Sequence, residues 1–116
     1  MSVFLPPRAR NKPYFFQENE LSAILSAYSN RVATGEWRDY AIDHNTSGAL
    51  FSIFKHTAET PLFVIEKRKP KGIKDAPQFY LHDRKRTLAK SGKLQDVLFY
   101  LDRMPRLVQS WSNSRP

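Results

Sequence analysis

The sequence predicts an α+β domain: an N-terminal helix, an antiparallel meander of four or five strands, and a C-terminal helix. Three observations carry this. A 3.6-residue apolar period runs over residues 18–34. A two-residue period replaces it from residue 37, broken at intervals by turn chemistry. The helical period returns after Gly92.

In the first helix, Leu21, Ile24, Leu25, Tyr28 and Val32 recur on one face. Glu18 and Glu20 stand in its first turn and Arg31 near its end, as the helix dipole favours, and Gly35 is a C-terminal stop. Residues 37–43 form strand one, with Tyr40 and Ile42 opposed to Asp39 and Asp43. The run His44-Asn45-Thr46-Ser47-Gly48 is a turn. Strands two and three cover residues 50–55 and 62–67. A Lys-rich loop fills 68–77, strand four 78–82, a charged turn 83–86 and strand five 87–91. Leu94, Val97, Leu98 and Leu101 mark the second helix, which Pro105 ends or kinks. The organisation read from this is an extended arm (1–14), one domain (15–108) and a tail (109–116).

Strands two and three are apolar on both sides, unlike a sheet with one wet face. Two architectures satisfy this. The helices lie on opposite faces, or both lie on one face and a second subunit covers the other, which predicts a homodimer. Trp37 is expected where helix one meets the sheet. Trp111, alone in a polar tail, is expected to dock on its own domain or on a sister subunit, as a partner or dimer contact.

Composition narrows the function classes. The chain has 116 residues, 41% of them hydrophobic, and no cysteine. Disulfides and thiolate metal sites are therefore excluded, and a cytoplasmic location is expected. No apolar run reaches the ~18 residues of a membrane helix, and the N-terminus does not read as a secretory signal. The histidines His44, His56 and His82 fall apart on the meander, so no metal and no cofactor is expected. Asp39 and Asp43 share a strand face about 13 Å apart, too far for a cooperating acid pair. No catalytic motif is present, so an enzyme of unknown class ranks third among the readings.

The net charge is +8 and the isoelectric point near 10.0. Residues 67–93 hold ten basic side chains against Asp75 and Asp83, which equals the surplus of the whole chain. The ten are Lys67, Arg68, Lys69, Lys71, Lys74, Arg84, Lys85, Arg86, Lys90 and Lys93. The meander places them at both ends of one sheet edge, about 17–20 Å apart at ~3.3 Å per residue. The leading expectation is a non-enzymatic module that binds nucleic acid, DNA before RNA, or another polyanion, with a steep salt dependence. The alternative is a protein-interaction or homodimeric assembly module, in which the same lysines protect an edge strand. Phe79 and Tyr80, beside the patch, are read as core residues of strand four more than as base-stacking residues.

The segment Gly35-Glu36-Trp37-Arg38-Asp39-Tyr40-Ala41-Ile42-Asp43, with Phe51-Ser52-Ile53-Phe54-Lys55 and Ile65-Glu66-Lys67-Arg68, resembles an alphaproteobacterial family of uncharacterised proteins. The resemblance spans roughly residues 15–104. It implies a bacterial, cytosolic protein and carries no activity or site residues.

Overall fold

A computed structural model describes residues 13–56, 60–72 and 74–104. The elements follow the expected order: helix α1 (Glu18–Ala33), strands β1 (Asp39–His44), β2 (Gly48–Phe54), β3 (Phe63–Arg68), β4 (Gln78–His82) and β5 (Thr87–Ser91), and helix α2 (Leu94–Arg103). All five strands pair antiparallel in chain order, so β1 and β5 are the edges.

Local chemistry sets the boundaries. The Glu20 carboxylate accepts the Gln17 backbone N–H at 2.7 Å and closes the start of α1. At the other end Gly35 takes φ +80°. Its N–H bonds the Val32 carbonyl, and that of Glu36 bonds the Arg31 carbonyl, a Schellman ending that favours glycine. In the β1–β2 turn the Asn45 carboxamide oxygen accepts the N–H groups of Ser47 and Gly48. Gly48 must be small, because a Cβ there would run into the Lys67 carbonyl of the neighbouring strand.

The cross-strand register sorts side chains onto two faces. Ile42, Phe51, Ile65, Leu81 and Ala89 form one continuous row on the inner face. Phe51, Ile53, Ile65 and Leu81 are fully buried there. Ile24 and Tyr28 from α1 and Leu94, Val97 and Leu101 from α2 close the same core. Each such side chain is worth about 1.5–3 kcal/mol of apolar burial. Trp37 is buried at the junction of α1 and the sheet, stacked 5.9 Å from Tyr28.

Both helices therefore cover one face, which excludes the arrangement with a helix on each. The outer face, over which neither helix lies, carries Leu50, Ser52, Phe54 and Val64 on β2 and β3. It turns polar toward β5, where Glu66, Arg68, Tyr80, His82 and Lys90 follow.

One helix residue departs from the expected stripe. Val32 is exposed, and Arg31 takes the buried position at i+7 from Ile24. A helix leaves its last carbonyls without intrahelical partners, and Arg31 supplies them for α2. Its Nη2 donates to the carbonyls of Leu101, Asp102 and Met104 at 3.3, 3.1 and 2.9 Å. Its Nη1 pairs with Glu36 at 2.8 Å. The guanidinium also lies 5.4 Å from the Trp37 ring.

Candidate polyanion-binding cleft

Alternation along β3 separates two neighbouring cations. Lys67 points inward and is only 3% exposed. Its ammonium donates to Glu20 Oε1 at 2.8 Å and to the Phe15 carbonyl at 3.1 Å, and sits 4.9 Å from the Tyr14 ring. Lys67 thus locks α1 and the segment before it onto the sheet. It does not belong to the basic surface in which its position in the chain had placed it.

Arg68 points outward, half exposed. Its Nε and Nη2 donate to the two oxygens of Glu66 at 3.1 and 3.0 Å. Its guanidinium carbon lies 4.0 Å over the Tyr80 ring. Glu66 also meets His82 Nε2 at 2.8 Å, and His82 Nδ1 meets the Thr87 hydroxyl at 2.8 Å. The Tyr80 and His82 rings are parallel within 7°, 5.7 Å apart. Partial burial alone would raise the Glu66 carboxyl. The hydrogen bonds from Arg68 and His82 outweigh that and hold it below the usual carboxylate range. Glu66 also pushes the Arg68 guanidinium up, so its charge is permanent.

Beside this network the β3–β4 loop folds back into a cleft of about 440 Å³. Arg68, Lys69, Lys71, Gln78, Tyr80 and Lys90 line it, with Asp75 as the one acid among its described lining residues. The loop is held at two points. Lys69 N–H donates to the Ser47 carbonyl at 2.8 Å, and Asp75 and Gly72 exchange hydrogen bonds at 3.0 and 3.2 Å. Lys90 arrives from β5 opposite Tyr80 and lies 5.7 Å from its ring. Among the described residues, Lys69, Lys71 and Lys90 have no carboxylate partner. Three lysines without a carboxylate partner among the described residues therefore line one concavity. Phe79 is core, as expected, while Tyr80 is not: it stands on the outer face between Arg68 and Lys90.

The remaining basic residues separate. Lys74 is exposed in the loop but outside the cleft wall. Lys93 borders a crevice between α1 and α2, on the helix-bearing face. Arg84, Lys85 and Arg86 form the β4–β5 turn at the far end of β4. Asp83 accepts the N–H groups of Lys85 and Arg86 at 2.8 and 2.7 Å, which lowers its pKa. Arg84 is turned toward the β2–β3 connection and donates to the carbonyls of Thr60 and Pro61 at 2.7 and 3.2 Å. Lys85 and Arg86 are left exposed. Trp111 lies outside the described residues.

Residues 14–98 match a family described as a protein of unknown function, DUF2794. The chain belongs to this family. That agrees with the resemblance to a family of uncharacterised proteins. No curated protein and no solved structure matches the chain. The matched region of this DUF2794 chain contains every residue of the cleft and both partners of the Lys67–Glu20 pair.

Among the described residues of the DUF2794 chain, no group of three or more His, Asp or Glu side chains is placed to hold a metal ion. No helix among them is long and apolar enough to cross a membrane. The Glu66–His82–Thr87 chain and the Arg68–Tyr80 stack were not legible as a unit from sequence. The available signal was the register: Arg68, Glu66, Tyr80 and His82 all share the period-two outer face.

Proposed function

We propose that this DUF2794 chain is a non-enzymatic, cytoplasmic module that binds nucleic acid, DNA before RNA, or another polyanion. The observation that supports the reading is the cleft lined by Lys69, Lys71 and Lys90, none of which has a carboxylate partner among the described residues. Lysines of this kind act as point charges on phosphates and release condensed counterions when they bind. The exposed Lys85 and Arg86 extend the positive surface along β4 and β5. Retardation of mixed-sequence DNA at low salt tests the reading. Binding is expected to weaken by at least about tenfold in Lys69→Ala/Lys71→Ala/Lys90→Ala, since each phosphate contact contributes to the salt-dependent affinity. No retardation at low salt, or retardation indifferent to the triple change, would overturn it.

A second reading, a face-to-face homodimer, is favoured by the apolar outer-face residues Leu50, Phe54 and Val64, which neither helix covers. The two edges of the face carry opposite charge. One cross-strand row runs from Asp43 on β1 through Leu50, Glu66 and Tyr80 to Lys90 on β5. A two-fold axis along the strands sets Asp43 of one copy against Lys90 of the other. The two readings compete for Lys90. Light scattering separates them: a monomer at high micromolar concentration contradicts the dimer.

A further inference from the structure

The geometry points to a single-stranded nucleic acid as the occupant of the cleft, with one unpaired base laid on the Arg68 guanidinium and the adjoining phosphates on Lys69, Lys71 and Lys90. This rests on the polyanion-binding reading and adds which form of nucleic acid the cleft takes, and how.

Arg68 is unusual among the cleft cations because one edge and one face of its guanidinium are already engaged. Its Nε–Nη2 edge is closed by both oxygens of Glu66. That edge is one of the two bidentate edges a guanidinium offers to a phosphate or a base, and here it is taken. One flat face rests on Tyr80 at 4.0 Å. What remains is the end-on edge of Nη1 and the second Nη2 N–H, and the opposite flat face, on a side chain 47% exposed at the cleft wall. A guanidinium fixed by an edge contact and a stacked ring is a rigid plane, and planar guanidinium groups stack against unpaired bases. Arg68 already occupies one face of the Tyr80 ring, and Lys90 and His82 each lie 5.7 Å from it.

The phosphate side of the site is three flexible lysines around the same concavity, which suits a backbone of variable path. A duplex presents its bases already stacked and paired, so it could use the lysines but not the plane.

Fluorescence anisotropy with three labelled probes of equal length tests this: oligothymidine, the same strand made of abasic residues, and a mixed-sequence duplex. The wild-type chain is expected to bind oligothymidine about tenfold more tightly than the abasic strand, the scale of one stacked base. Oligothymidine is also expected to bind more tightly than the duplex. Arg68→Lys keeps the charge and removes the plane. It should erase the preference for oligothymidine over the abasic strand while abasic binding remains measurable. Equal wild-type affinity for the abasic strand and oligothymidine, or tighter binding of the duplex, overturns the inference and leaves polyanion binding standing. Persistence of the preference in Arg68→Lys overturns the assignment to Arg68. Binding to none of the probes at low salt overturns both this inference and the reading beneath it.

Discussion

Lys67 and Arg68 are neighbours in sequence, carry the same charge and form ion pairs with glutamates at 2.8 and 3.0 Å, yet they occupy opposite physical regimes. Lys67 is inside, beneath α1, with its partner Glu20 also shielded from water. Arg68 is outside, on a face over which neither helix lies. A buried pair is costly to assemble and far more costly to break by removing one partner. An exposed pair is worth little to stability and leaves its cation near solvent for other contacts. A charge run read along a strand is therefore two populations, one structural and one available, sorted by alternation.

The largest expected effect breaks the inner member. Lys67→Ala leaves Glu20 shielded and unpaired at the start of α1, and should cost about 3–5 kcal/mol in urea unfolding. A loss below ~1 kcal/mol would mean that the inner pair behaves like a surface pair. Next comes Arg31→Ala, which strips the carbonyl partners from the end of α2 and leaves Glu36 without its partner guanidinium. It should cost about 2–3 kcal/mol, the scale of lost hydrogen bonds to a charged group. The outer member sharpens the contrast. Arg68→Ala should lower stability by no more than ~1 kcal/mol by the same measurement.

A smaller effect follows from Glu66. Its carboxyl lies below the ordinary value of 4.5 in the folded chain. The unfolded chain then takes up the proton first. The stabilisation from Glu66 is complete above about pH 4.5 and is lost as pH falls through its lower folded value. Urea midpoints measured from neutral to acid pH should decline in that window. Glu66→Gln should flatten the decline.

Much of the fold was legible because turns and periods agreed. Strands β4 and β5 match their sequence limits at both ends, since Asp83 and its following N–H groups close the turn that their composition announces. Which face the helices cover was not legible, because β2 and β3 carry apolar residues on both sides. Arg31 was read only as a dipole partner, because its buried role depends on α2, seventy residues away in sequence. The cleft was half legible. Its charge stood out along the chain, but Lys67, Lys74, Arg84, Lys85, Arg86 and Lys93 lie outside it, as faces and partners decide. Tyr80 entered it for the same reason.

The slope of log affinity against log salt for an oligothymidine strand, in wild type and in Lys69→Ala/Lys71→Ala/Lys90→Ala, tests the central claim most directly. Three lost phosphate contacts should reduce the magnitude of the slope by about 2, at ~0.7 per contact on a single strand. An unchanged slope would contradict the assignment of polyanion binding to this cleft.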